Sequence, residues 1–253
     1  MDLKLKGRRA ILAGATKGIG RAAAEALADE GCNIALCARD AARLEGTLAA
    51  LRAKGVNAIG SSVDLTDPER YKGWVASAAQ SLGGCDIFIS FASAGGGPPS
   101  EERWKANFEL DLLGTWRGIE AALPFLEKSD AASIIAVATN VATEPAFGPQ
   151  AYAPMKAALV NYASALAQAY APKGIRVNTI SPGPIYFEDG DWGKIKAGRP
   201  EVYQRTLAKV AAGRLGEGAE VGRAIAFLAS PACPFITGAN LFIDGGMTKR
   251  AQF

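Results

Sequence analysis

The chain has 253 residues, an apolar fraction of 49% and 29 glycines, which fits a globular protein with a large core and many tight turns, in one large α/β domain or two small ones. A net charge of +3 and the absence of any His give no footing for nucleic acid or a membrane surface as partner, exclude His-based triads and argue against a metal site. No apolar run approaches the roughly 20 residues that span a bilayer, and the start, MDLKLKGRRA, lacks the apolar stretch of a secretory signal; a cytoplasmic protein is expected, with Cys32, Cys37, Cys85 and Cys233 as buried thiols.

Along the chain, short apolar runs alternate with helix-period segments. RRAILA reads as a strand and IGRAAAEALADEG as a helix stopped at Gly31. NIALCA is the next strand, followed by a helix that Asp40 caps and Gly55 ends. VNAIGSSVD precedes a helix running to Leu82, with Asp67 as N-cap and Pro68 at its first position. CDIFIS and SIIAVAT are strands separated by a long helix around Trp104 to Leu126. Another long helix begins near Gln150 and ends before KGIRVNTISPG, and ANLFIDGG closes the pattern. Strand–helix alternation implies a Rossmann-type doubly wound α/β fold: a seven-stranded, mostly parallel sheet with helices on both faces. No linker or repeat interrupts it, so residues 1–253 are expected to form a single domain. The segment 186–213 fits no strand–helix unit and is expected to be a substrate lid.

The first strand runs into AGATKGIG, with Gly14, Gly18 and Gly20. Glycines between a strand and a helix let the backbone turn sharply and approach a pyrophosphate, which the helix N-terminus favours. An acid at the end of the second strand would bind a ribose 2′-hydroxyl and repel a 2′-phosphate; that position is Ala38, followed by Arg39, and Lys17 lies in the glycine loop. Two cations and no carboxylate suit NADP(H). Tyr152 and Lys156 share one helix face. A free Tyr has a pKa near about 10, and a neighbouring ammonium lowers it, making the pair a candidate acid–base couple.

The Gly-x-x-x-Gly-x-Gly loop, Tyr152-x-x-x-Lys156, NTISPGPI, GRLGEGAEVGRAIAFLAS and FITGANLFIDGG together resemble the classical short-chain dehydrogenase/reductase family over nearly the whole chain. The resemblance implies hydride transfer between a nicotinamide and a carbonyl or secondary alcohol, with Tyr152 passing the proton and Lys156 also binding ribose. It implies cofactor contacts from Gly14, Thr16, Lys17, Gly18, Ile19 and Gly20, from Arg39, from Asp64 and Leu65 beside the adenine, from Ala92, and from Pro182, Gly183 and Ile185 on the nicotinamide side. It also implies a homotetramer.

Three polar landmarks of the family differ. Its Ser after the fifth strand is missing: matching TNVA to the usual SSVA puts Asn140 there, while counting back from Tyr152 gives Thr139. Either can donate to a substrate oxygen; Asn140, at the strand's end, is the expected donor. Asp111 stands where the family has an Asn that orders a water relay to the Lys, and an ionised Asp accepts but cannot donate. Ser90, Phe91, Ala92 and Ser93 replace Asn-Asn-Ala-Gly. Trp192, Phe187 and Tyr186, with Phe147, are expected to line an apolar pocket for a small carbonyl or alcohol substrate, and Arg103, Lys105 and Arg117 are the cations available to an acyl carrier. The competing expectation is a catalytically weak or inactive NADP-binding protein, a sensor or partner subunit.

Overall fold

The computed structural model describes residues 1–146 and 148–250; Phe147, an expected pocket residue, lies outside them. Seven strands form one sheet: β1 (Arg9–Ala13), β2 (Asn33–Ala38), β3 (Ala58–Ser62), β4 (Ile87–Ser90), β5 (Ser133–Val137), β6 (Arg176–Pro182) and β9 (Asn240–Ile243). Their order is β3-β2-β1-β4-β5-β6-β9, and every neighbouring pair is parallel. The central strands are buried on both faces, which is why they read as unbroken apolar runs. Side chains alternate between two cores. Ala10, Leu12, Ile34, Leu36, Ile87 and Ile89 pack with α1 (Gly18–Asp29), α2 (Ala41–Arg52) and α9 (Gly218–Ala229). Ile11, Ala13, Ala35, Cys37 and Phe88 pack on the other face with α3 (Pro68–Leu82), α5 (Thr115–Leu126) and α6 (Tyr152–Tyr170).

Local chemistry sets the helix ends. Asp40 accepts from the Arg43 amide at 3.0 Å and caps α2. Asp67 accepts from Arg70 at 3.1 Å, Pro68 follows it, and Gly83 ends α3 with φ +77°. The helix expected from Trp104 begins earlier, because Ser100 caps α4 (Glu101–Asn107) through the Arg103 amide. It is also not α-helical throughout: Phe108–Gly114 is a π-helical segment leading into α5. Such wide turns are rare and gather at functional sites, and Asp111 sits inside this one. The expected lid is two short helices, α7 (Asp191–Gly198) and α8 (Pro200–Leu207), framed by a small parallel ladder of β7 (Ile185–Tyr186) and β8 (Gly216–Glu217). Among the described residues no helix is long and apolar enough to cross a membrane.

The strand order reverses between β1 and β4. The chain winds outward one way through β2 and β3 and the other way through β5, β6 and β9. Ligands of such sheets bind where the order reverses, outside the carboxyl ends of the strands. Gly14, Arg39, Ala92, Thr139 and Gly183 all follow strand ends on that edge. Helix α1, which starts there, is pressed against α9. A Cβ on Gly222 would lie 2.5 Å from the Ala22 carbonyl oxygen and 2.9 Å from its carbon, both backbone atoms that cannot swing aside. Gly222→Ala should therefore lower stability by about 1–3 kcal/mol, read from denaturant unfolding; an unchanged midpoint would show that the helices can part without cost.

Candidate active site

Tyr152 is the first residue of α6, and Lys156 stands one turn further on. The Lys156 Nζ lies 5.8 Å from the Tyr152 ring centroid. Lys156 is only 2% exposed. Its ammonium donates to the Val137 carbonyl, at the end of β5, at 2.9 Å, and to the Ala92 carbonyl, beyond β4, at 3.5 Å. The Asp111 Oδ1 lies 3.1 Å away as an ion pair and accepts no hydrogen bond among the described residues. Three acceptors from three elements thus surround three protons, and the Ala92 contact is the loosest. Burial pulls the ammonium's pKa below its ordinary value, and Asp111 pushes back. Burial first, and then the Asp111 charge, push the partly buried Tyr152 phenol above the ordinary tyrosine value; a hydrogen bond with Thr139 works the other way.

Thr139 and Asn140 are both buried, but they are used differently. The Thr139 side chain lies near enough to the Tyr152 phenol to bias its ionisation; its hydroxyl donates to the Pro182 carbonyl in a long hydrogen bond of 3.5 Å. Asn140 opens a short 3₁₀ turn, and its backbone carbonyl accepts from Thr143 and Glu144. Its side-chain amide has no hydrogen-bond partner among the described residues. The reason is geometric: extended backbone at Thr139 (φ −164°, ψ 153°) carries that side chain toward α6, and the next residue turns away.

Asp111 is held on its other oxygen as well. Oδ2 accepts from the Ala94 amide at 2.9 Å and from the Asn107 side-chain amide at 2.9 Å. Asn107 is 1% exposed and also donates to the Gly95 carbonyl at 3.1 Å. Neither Asn107 nor Ala94 was singled out from the sequence. The available signal was the spacing: an Asn one helical turn before an Asp is a hydrogen-bonding pair on a helix face. Ser90 is buried, accepting from Thr115 at 3.2 Å and from the Ala92 amide at 3.4 Å.

The glycine loop has the shape that a pyrophosphate requires. Gly14 and Gly18 have φ of +78° and +55°, and a Cβ on Gly20 would come within 2.9 Å of the Ala15 Cα. The N-cap of α1, Lys17, is extended, caps nothing with its side chain, and no acid occupies the first turn. The first amides of α1 are therefore uncapped, and a dinucleotide phosphate fits them. Thr16 is buried, and Ile19 packs against the core. Lys17 and Arg39 are exposed and form no ion pair among the described residues. Asp40 is committed to its helix cap. Asp64 accepts from the Thr66 amide and hydroxyl at 3.0 and 2.9 Å, a backbone bond that holds its carboxyl below the usual range; Leu65 beside it is buried. Gly183 passes so close to Asp244 that a Cβ would lie 2.6 Å from the Asp244 Cβ, and Pro182 and Ile185 flank it, both buried.

The lid aromatics do not share one pocket. The Phe187 ring lies across Gly18 and Gly218: a Cβ on these would be 3.8 and 2.6 Å from its edge. The two glycines leave a slot that the ring fills, so Phe187 belongs to the phosphate loop. Tyr186 and Tyr203 hold Lys196 between their rings, at 5.2 and 5.6 Å, and Trp192 meets Tyr203 edge-on. A cavity of about 890 Å³ opens beside Lys17, Phe187 and Arg223 on the outer side of α1, and neither Tyr152 nor Lys156 lines it. The three cations considered for an acyl carrier are engaged locally: Arg103 donates to the Ala94 carbonyl, Lys105 pairs with Glu101, and Arg117 with Glu109.

A doubly wound sheet, a phosphate-shaped glycine loop at its switch point and a Tyr–Lys couple beside it define a dinucleotide-binding oxidoreductase. The chain belongs to the short-chain dehydrogenase/reductase family, whose members use a nicotinamide cofactor. A family model described as Enoyl-(Acyl carrier protein) reductase matches residues 14–248. The isoepoxydon dehydrogenase of Penicillium expansum is 35% identical over 255 residues, covering 98% of each chain. The L-sorbose reductase of Gluconobacter frateurii, solved with NADPH and L-sorbose, superimposes with a TM-score of 0.90 at 30% identity over 99% of this chain and 100% of its own. A short-chain oxidoreductase from Pseudomonas aeruginosa PAO1, described as containing an atypical catalytic center, gives a TM-score of 0.90 at 29% identity over 98% and 99%.

The buried ion pair has a measurable weight. Asp111→Ala strands the Lys156 ammonium without its counter-charge and should cost about 3–5 kcal/mol of unfolding free energy. A loss below about 1 kcal/mol, the range of an exposed pair, would show that water reaches the site.

Proposed function

We propose that the chain is an NADP(H)-dependent oxidoreductase that interconverts a small carbonyl compound and its alcohol, with Tyr152 as the acid–base residue. The observation that carries this is the single turn of α6 that sets a phenol and an ammonium together, with a hydroxyl at the phenol. When bound, the nicotinamide supplies or takes the hydride. The chain's own residues handle the proton and the orientation. The Tyr152 phenol gives its proton to the substrate oxygen in reduction and takes it back in oxidation. Lys156 fixes the electrostatics around that phenol. Thr139 holds the substrate oxygen; its place beside Tyr152 favours it over Asn140, whose amide meets no partner among the described residues. A hydroxyl both donates and accepts, so Thr139 can bridge phenol and substrate, which an amide donor alone would not do.

NADP(H) is favoured by Lys17 and Arg39, exposed beside Ala38 and in no ion pair among the described residues. Residues 186–213 act as the lid of the single domain. A homotetramer is what the family resemblance implies, and Trp104, Phe108 and Trp116, large apolar side chains left exposed along α4, the π-helical segment and α5, offer a surface for association; a cytoplasmic location is part of the same reading. A second reading, an NADP-binding protein with little turnover, draws on the Asp111 carboxylate, which neutralises the very ammonium that activates the phenol.

Titration of the purified protein with both cofactors should show NADPH binding more tightly, each phosphate contact contributing about 1.5–3 kcal/mol; equal affinities would remove the case for the 2′-phosphate. With NADPH and a panel including L-sorbose and cyclic ketones, Tyr152→Phe should abolish turnover while cofactor affinity stays. If no compound is reduced by the wild type yet NADPH binds, the binding-protein reading stands instead. Thr139→Ala should lose about 10²–10³ in kcat/KM and Asn140→Ala much less; the reverse order would move the donor to Asn140.

A further inference from the structure

The surroundings of residue 111 allow only one kind of side chain. Oδ2 faces two donors, the Ala94 amide and the Asn107 amide, while Oδ1 faces a third, the Lys156 ammonium. An Asn in this place would have to turn its NH₂ either to the ammonium or to the two amides, and in both settings a donor would meet a donor. A carboxylate, an acceptor at both ends, satisfies all three. The clamp is itself anchored. Asn107 is tied to the Gly95 carbonyl, the Ala94 carbonyl is taken by Arg103, and Gly95 adopts φ +73°. All three side chains, Asn107, Asp111 and Lys156, are 2% exposed or less.

We propose that Asn107 and the Ala94 amide are positioning groups that lock the Asp111 carboxylate onto Lys156, and that this internal counter-charge keeps Tyr152 in its acid form near neutral pH. The proposal rests on the reading that Tyr152 is the acid–base group. The charged and polar groups facing its phenol are Lys156 on its own helix, Asp111 on the π-helical segment, Asp191 at the start of α7 and the Thr139 hydroxyl after β5. Lys156 alone favours the phenolate; the two carboxylates and burial oppose it. The sign follows. A phenol held protonated is present as an acid at neutral pH, and reduction declines only as the pH rises through its pKa. Oxidation, which needs the phenolate, gains over the same interval.

The test compares wild type, Asp111→Asn and Asn107→Leu. The first measurement is the near-ultraviolet phenolate titration of the apoprotein, taken as the difference from the matching Tyr152→Phe chain. The second is the alkaline limb of kcat/KM for NADPH with L-sorbose. The wild-type phenol should ionise above the ordinary tyrosine range. Asp111→Asn should move the titration, and the limb with it, down by about one pH unit or more. Asn107→Leu, which removes one donor from the carboxylate, should move both the same way by less. A merely structural Asn107 would lower the melting temperature and leave both in place, which would overturn its role. An unmoved titration in Asp111→Asn overturns the counter-charge itself. Should Asp111→Asn fail to fold, a wild-type phenol that ionises below about pH 9, under the unperturbed value, overturns it alone. Turnover retained by Tyr152→Phe would instead sink the acid–base reading, and the apoprotein titration would still decide the counter-charge.

Discussion

Everything at the reaction centre hangs on the burial of one ammonium. A charge taken from water into a protein interior needs acceptors arranged around it, and Lys156 draws them from the end of β5, the loop after β4 and the π-helical segment. None of these is near another in sequence. They meet because the parallel sheet delivers its strand ends to one edge, and because the wide helical turn brings Asp111 inward to that edge. The Tyr152 phenol is then placed by the same helix that carries the lysine. A site of this kind cannot be loosened at one point only, since each acceptor belongs to a different structural layer.

The family's design and this chain's version of it part at the electrostatic level. The fold, the glycine loop and the Tyr–Lys turn are those of a short-chain dehydrogenase/reductase. Position 111, however, carries a formal charge, and its partner one turn earlier on the helix is an amide aimed at it. The pairing shows that the Asp is built in, because the local donors reject an amide there. The departure from the family pattern at one residue is thus matched by a second residue that makes the departure stable.

Much of this was legible in the sequence. Strand–helix alternation, with Asp40, Asp67 and Pro68 marking helix starts, gave the doubly wound sheet, since those signals are local. The glycine loop and the Tyr152–Lys156 spacing are local too. What was not legible came from tertiary geometry. Whether Thr139 or Asn140 turns toward Tyr152 depends on one backbone angle after β5, and neither composition nor motif spacing encodes it. The π-helical segment hid inside an ordinary helix pattern, because widening one turn leaves the apolar residues in nearly the same order. Phe187 looked like a pocket residue because it lies in the segment expected to be a lid; only the two glycines that receive its ring, one at each end of the chain, show where it goes.

That ring has a consequence for how the sequence can drift. Gly18 ends the glycine loop and starts α1, Gly218 starts α9, and Phe187 lies across both. At Gly18 the positive φ of +55° limits the residue, while at Gly218 a Cβ would press into the ring at 2.6 Å. A larger residue at 218 requires a smaller one at 187, and a smaller one at 187 leaves a hollow beside the loop that some other side chain must fill. Positions 187 and 218 therefore form a unit of covariation joining the segment after β6 to the end of the chain, and relatives that exchange the aromatic ring for an aliphatic side chain should be those that carry a methyl group at the head of α9.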